Sequence, residues 1–348
     1  MKTAIAILLA AIGLALVSGT TAENKRLHYD FSKVDRFIEN NSGLYRNQIV
    51  VLVSQDGKLI YKKEVGLDDQ SMKPIASASK WLSAAVIMTL VDDGKISLND
   101  SIGRFLPIFT SHRKGNITVR QLFSHTSGLR GDQNEKFEYR RNITLAQAVD
   151  SIAILTPLLH KPGSTFNYGG TGMQIGGRIA EIVSGKSWQQ LVDEKIGKPC
   201  GMHVSFGSTQ NPIIAGGART SARDYLHFLE MVINKGTYNG RRVISEKSIT
   251  MMLSDQTTGA VIEGTPYPRN PFSAFPKKDV RYGMGNWLDV TDEHENVFES
   301  SSPGLFGTHP WQDSKHRIAG IIFTVTRPKI SNQSSLEIRK MIRDIVEK

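Results

Sequence analysis

Strand-forming sequence lies near both ends of this chain, and helix-forming sequence fills the long stretch between them. Ile49 to Val53 and Leu59 to Val65 read as two strands, and Ile318 to Val325, rich in β-branched residues and closed by Arg327-Pro328, reads as another. Strand-like sequence also returns over residues 281–290. The first two runs are joined through Gln55-Asp56-Gly57, a hairpin turn in which both Asp and Gly accept a positive φ. This order implies an α/β (α+β) fold: one largely antiparallel sheet built from the two chain ends, carrying a helical insertion. Flanking helices are expected too. Phe31, Val34 and Ile38 share a face near the start, and Ile338, Met341, Ile342 and Ile345 do so at the end. Within the insertion, Trp81, Leu82, Ala85, Val86 and Leu90 form one apolar stripe of a helix that should stop near Gly94. No internal repeat or long linker divides residues 23–348, which read as one domain. Its α/β lobe spans about 23–76 and 280–348, and its mostly helical lobe about 77–279.

The first residues set an address. Lys2 precedes an apolar run from Ala4 to Val17, and Thr20-Thr21-Ala22 offers small residues before Glu23, so residues 1–22 read as a signal peptide. The run is short for a membrane span, no cysteine follows it, and no later stretch is apolar enough to cross a bilayer. An exported protein, periplasmic or secreted and without stable membrane insertion after cleavage, is the expectation. The formal net charge is +10, but no Lys/Arg cluster dominates any segment, so nucleic acid is not an expected partner. Cys200 is the single cysteine, which excludes an internal disulfide and leaves stability to a packed core. It reads as a small buried apolar residue, since no base partner for a reactive thiol is evident.

Chemistry first shows in Ser77-Ala78-Ser79-Lys80. An S-x-x-K spacing is weak by itself, and Ser111 to Lys114 repeats it. Context separates the two, because Ser77 opens an apolar-periodic helix whereas Ser111 runs into Arg113-Lys114-Gly115-Asn116, a loop pattern. At a helix start, three residues of separation put hydroxyl and amine on one face. The unpaired N–H groups there can face a developing oxyanion. A desolvated Lys80 can act as base, or as an ammonium it can lower the pKa of the hydroxyl. An N-cap serine with an incidental lysine fits the same residues. Tyr168 lies after a Pro162-Gly163 turn, just before a helix carrying Ile175, Ile179 and Val183 and stopping at Gly185. It suits a group approaching Ser77 from the opposite side, or a packing residue.

Taken together, Ser77-x-x-Lys80, Gln121-Leu122-Phe123-Ser124-His125-Thr126-Ser127-Gly128-Leu129 and Pro162-Gly163…Phe166-x-Tyr168 resemble the beta-lactamase-related serine hydrolases. That group includes class C beta-lactamases, D-alanyl-D-alanine carboxypeptidases and family VIII esterases. Ala215-Gly216-Gly217, Ser221-Ala222-Arg223-Asp224 and Tyr282-Gly283-Met284-Gly285 are similar to further family segments. The resemblance implies that Ser77 forms an acyl-enzyme and that Tyr168, held as or near a phenolate by Lys80, relays protons. It implies an oxyanion hole made by the N–H groups of Ser77 and Leu305, and a substrate-binding third motif at Ser302-Pro303-Gly304. The His-Thr-Ser-Gly-Leu stretch is read as structural. No cofactor and no metal are implied, and the expected partner is a small acyl substrate.

Two departures shape the expected activity. The family's second motif often ends in asparagine where this chain has Gly170, and the third usually begins with a cationic residue where it has Ser302. Both changes weaken the case for gripping a carboxylate-bearing beta-lactam or peptide. An esterase on small acyl esters is therefore expected first, then a beta-lactamase or D-alanyl-D-alanine carboxypeptidase, then a catalytically silent binding protein on the same fold. Other signals fail. His294-Glu295 lacks the second histidine of a zincin, Gly170-x-Gly172 lacks the third glycine of a dinucleotide fingerprint, and neither a P-loop nor a G-x-S-x-G elbow occurs. Asn40, Asn116, Asn142 and Asn332 each begin an N-x-S/T triplet, relevant only in a host that glycosylates exported proteins.

Overall fold

The hairpin at Gln55-Asp56-Gly57 is the seed of the sheet. In the computed structural model, which describes residues 29–132, 136–257, 259–267, 281–292, 294 and 296–348, β1 (Ile49–Gln55) and β2 (Lys58–Val65) pair antiparallel. Asp56 (φ 51°) and Gly57 (φ 73°) both take the left-handed conformation that such a turn needs. The expected signal peptide and Glu295 lie outside the described residues.

Four strands from the far end of the chain complete the sheet: β3 (Trp287–Thr291), β4 (Val297–Ser301), β5 (His309–Asp313) and β6 (Ile318–Thr324). Their order is β2-β1-β6-β5-β4-β3, with every pairing antiparallel. The two chain ends meet where β1 lies against β6, with Ile49 opposite Thr324 and Gln55 opposite Ile318. Because side chains alternate along a strand, β1 buries two faces. Ile49, Val51 and Val53 pack with Ile322 against helices α1 (Ser32–Asn41) and α7 (Pro328–Val346), through Val34, Ile38, Ile338 and Ile342. Val50 and Leu52 face the other way, into the larger core shared with Trp81, Phe228, Ile321 and Phe323.

That larger core is mostly helical. It contains α2 (Ser79–Asp92), α3 (Val119–Phe123), α4 (Leu145–Leu155), α5 (Thr171–Ser184) and α6 (Ala222–Ile233). Gly185 closes α5 in the left-handed conformation, and Gly94 (φ 67°) follows the end of α2. The single stripe expected for α2 is corrected: every residue from Ser79 to Leu90 is buried, so over that stretch the helix has no solvent face. Cys200 is buried as a free thiol, and burial pushes its pKa up to about 12. Among the described residues no helix is long and apolar enough to cross a membrane.

Strands β4 and β5 have no counterpart in the sequence reading, for a physical reason. Glu299, Ser300, Ser301, His309, Gln312 and Asp313 are all buried, so the strands lack an apolar alternation. Their acidic side chains are matched from α7. The Arg339 guanidinium, 3% exposed, donates to Glu299 at 2.9 Å and to Asp289 of β3 at 2.7 Å, and Arg343 also bonds Glu299. Burial pushes the Glu299 pKa up, but the two guanidinium groups outweigh it and leave it below its usual range. Replacing Arg339 by Met removes the guanidinium shared by two buried carboxylates and leaves Glu299 with Arg343 alone. It should cost about 3–5 kcal/mol of unfolding free energy by urea titration, and a loss under about 1 kcal/mol would show that the network is not what fastens α7 to the sheet.

Candidate active site

The turn that carries Ser77 is set before α2 begins. Ala76 holds a left-handed φ of 46°, unusual for a residue with a Cβ, and Ala76–Ala78 form one 3-10 turn that runs into the helix. Three neighbours fix this turn. The Ser79 hydroxyl donates to the Ala76 carbonyl at 2.6 Å, the Ala218 N–H donates to Ser79 Oγ at 3.0 Å, and the Tyr225 hydroxyl donates to the Ala78 carbonyl at 2.7 Å. Ser77 itself stays partly open to solvent. The N-cap alternative is set aside, since Ser77 caps no helix through its side chain.

Lys80, one turn on, is 4% exposed. Its Nζ donates to Ser77 Oγ at 3.0 Å and to the Ala215 carbonyl at 3.1 Å. It also lies 4.6 Å from the centroid of the Tyr168 ring, over the face of the ring. Burial lowers its pKa to about 8, against the opposing pull of Asp132 and Glu138. The amine is therefore still mostly protonated at pH 7, where roughly a tenth of molecules hold it neutral, and it is half neutral near pH 8.

Tyr168 is brought there by interlocked loops. The Asn167 N–H donates to the His125 carbonyl at 2.8 Å, the Tyr168 N–H to the Gly264 carbonyl at 2.6 Å, and the Gly131 N–H to Asn167 Oδ1 at 3.1 Å. Gly131 and Gly169 pass so closely that a Cβ on Gly131 would sit 2.2 Å from the Tyr168 carbonyl oxygen. The ring stacks on Trp287 with centroids 5.1 Å apart and planes 25° apart. Burial raises the phenol's pKa, Ser77 offsets part of the rise by hydrogen bonding, and Tyr267 and Asp132 add to it. The phenolate expected from the sequence is corrected accordingly: the resting phenol is neutral, because a buried ring loses more by desolvation than it gains from an amine placed over its face.

The third expected segment lies beside the Ser77 turn. The Ser302 hydroxyl, buried, donates to the carbonyls of Ser77 at 3.3 Å and Gly285 at 3.1 Å, so it is engaged with backbone. Gly304 has the same orientation, since a Cβ there would meet the Ile75 carbonyl oxygen at 2.1 Å. Both residues press the β4–β5 connection against the Ser77 turn. Leu305 is 67% exposed, and neither its N–H nor that of Ser77 bonds to a backbone carbonyl among the described residues. Gly170 is buried, and its N–H donates to Asp132 Oδ1 at 3.0 Å.

Several neighbours had no role in the sequence reading. The Ala215 carbonyl belongs to a segment that the sequence marks only as similar to a family segment. His125, expected to be structural, packs its ring 4.7 Å from that of Tyr168 and is held neutral by burial and by Lys80. Glu138, 2% exposed, comes from a charged stretch to which the sequence assigns no role. The rival pair Ser111 and Lys114 forms no second site, because Lys114 is buried and donates to the Ala153 and Thr156 carbonyls at the end of α4. Among the described residues no group of His, Cys, Asp and Glu could hold a metal ion.

Comparison with known proteins bears on the family and the fold. The Beta-lactamase family model matches residues 34–339. Protein Rv1367c of Mycobacterium tuberculosis is 26% identical over 332 residues, covering 75% of this chain and 79% of that protein. Protein flp of Staphylococcus aureus is 28% identical over 195 residues, covering 51% of this chain and 39% of flp. A candidate beta-lactamase of Bacteroides dorei superposes with a TM-score of 0.82 at 28% identity, covering 92% of this chain and all of that one. EstCE1, a hydrolase with promiscuous acyltransferase activity, shares the fold with a TM-score of 0.71 at 18% identity, covering 88% of this chain and 96% of its own. With the family matched over most of its length, this chain belongs to the beta-lactamase family, a hydrolase superfamily on the beta-lactamase/transpeptidase-like fold.

Proposed function

We propose that this protein is a serine esterase that acts on small acyl esters through an acyl-enzyme on Ser77. The observation that carries the reading is the 3.0 Å contact between a buried amine of lowered pKa and a partly open hydroxyl. Neutral Lys80 takes the proton as Ser77 Oγ bonds to the ester carbonyl carbon. The negative charge formed on the carbonyl oxygen is met by the N–H groups of Ser77 and Leu305. The intermediate then expels the alcohol oxygen, which receives the proton from Lys80 with the neutral phenol of Tyr168 as relay. Water repeats the sequence on the acyl-enzyme and frees the acid.

Esters are favoured over lactams because the groups that would grip a carboxylate are missing. Gly170 offers no side-chain amide and Ser302 is spent on backbone carbonyls. Leu305 and Phe306, 67% and 37% exposed, put apolar surface next to the nucleophile turn, which suits an acyl chain. The apolar run near the N-terminus supports an exported setting.

A fluorophosphonate probe should label the protein at one site, and Ser77→Ala should abolish that labelling. Label mapped to another residue would remove Ser77 as nucleophile. The base must be neutral to work, so kcat/KM should climb as pH rises through about 8 and level off above it. A climb found only at strongly alkaline pH would instead assign the base to Tyr168, whose pKa burial raises. Nitrophenyl butyrate should be preferred to a chromogenic cephalosporin by about a hundredfold or more in kcat/KM. The reverse preference would replace the esterase reading by a beta-lactamase one.

A further inference from the structure

One carboxylate near the nucleophile belongs to none of the family motifs. Glu138 sits in the 3-10 turn Phe137–Tyr139, is 2% exposed, and its Oε2 finds no hydrogen-bond partner among the described residues. An unpartnered buried carboxylate oxygen is costly, so packing by itself gives no reason for it. A Cβ built on Gly170 would lie 3.6 Å from Glu138 Oε1 and 3.6 Å from the Ala215 Cβ. The carboxylate thus faces Ala215, whose carbonyl holds the Lys80 amine at 3.1 Å, across the side-chain-free position of Gly170. Gly170 has a φ of −97° and only ordinary contacts around that Cβ position, so neither backbone conformation nor crowding demands glycine there.

The groups facing Lys80 come from four segments: Glu138, Asp132 from the preceding loop, His125 after α3, and Tyr168 before α5. Burial keeps His125 and Tyr168 neutral. Asp132 is exposed, screened by water, and bonded to the Gly170 N–H. Burial raises the Glu138 pKa, its own backbone N–H pulls it back, Asp132 adds to the rise, and Lys136 and Lys80 lower it again.

We infer that Glu138 is a positioning residue whose carboxylate serves as the buried counter-charge for the Lys80 ammonium formed when Lys80 accepts the Ser77 proton. The inference rests on Ser77 and Lys80 as nucleophile and base. The proton passes from Ser77 Oγ to Lys80 Nζ and on to the leaving oxygen, while Glu138 gains and loses none. In a low-dielectric site an acid so placed favours the charged amine without touching substrate.

The test is the pH dependence of fluorophosphonate labelling, which reads Ser77 reactivity whether or not esters are substrates. Removing the negative charge destabilises the ammonium, so in Glu138→Gln the midpoint should move to lower pH by about half a unit or more and the plateau rate should fall several-fold. Asp132→Asn should move it in the same direction. Adding Gly170→Asp to Glu138→Gln puts a carboxylate back in the same space and should return the midpoint toward wild type. Folded Glu138→Gln that labels more slowly with an unmoved midpoint overturns the inference, because a structural role slows labelling at every pH alike. Linkage makes the coupling reciprocal, so Lys80→Met should raise the Glu138 carboxyl pKa, read by 13C NMR of the glutamate carboxyls. No change there overturns the inference independently of how Glu138→Gln folds. Wild type that labels yet hydrolyses no ester removes the esterase reading alone, whereas wild type that never labels removes both.

Discussion

Withdrawing the Lys80 amine from water is the constraint on which the rest of the site depends. On an exposed helix the same side chain would remain a hydrated ammonium with no capacity to accept a proton near neutral pH. Here α2 is enclosed on all sides from Ser79 to Leu90, and burial brings the pKa to about 8. The cost is contained because the amine keeps polar company: the Ser77 hydroxyl, the Ala215 carbonyl and the face of the Tyr168 ring. The same desolvation keeps Tyr168 and His125 neutral, so burial divides the site into one titrating amine and two neutral aromatic walls.

The sheet holds this arrangement from the other side. The β4–β5 connection reaches the nucleophile turn through the Ser302 hydroxyl and through Gly304, which lies so near the Ile75 carbonyl that no side chain fits between. The strands leading into that connection carry a polar interior, neutralised by Arg339 and Arg343 from the terminal helix. The last helix of the chain is therefore mechanically linked to a serine near its beginning, by way of two buried carboxylates and one hairpin-like connection.

How much of this was legible in residues alone follows from the range of the interactions involved. Asp56-Gly57 needed only its own backbone preferences to make a hairpin, and Gly185 needed only its freedom at positive φ to end α5. Ser77 and Lys80 share a face because they are three residues apart on a helix, a local matter too. Tyr168 was visible through its motif, but its protonation state was not, since that depends on a desolvation no short segment specifies. Ser302 and Gly304 were visible as a motif, but their packing against the Ser77 turn was not, because contacts between residues so far apart in the chain are decided only by the closed fold. Strands β4 and β5 escaped because their buried acids look like surface until Arg339 is brought to them.

By itself, then, the sequence determined what short-range backbone and side-chain preferences can specify. That comprised the strands at both ends, the helices between, and a serine and lysine three residues apart at the start of a helix. Tertiary structure alone decided how deeply Lys80 is buried, that Tyr168 is a neutral phenol, and that Glu138 stands behind Gly170. These are consequences of dielectric environment and of contacts between residues remote in the chain, and such quantities exist only once the core has closed.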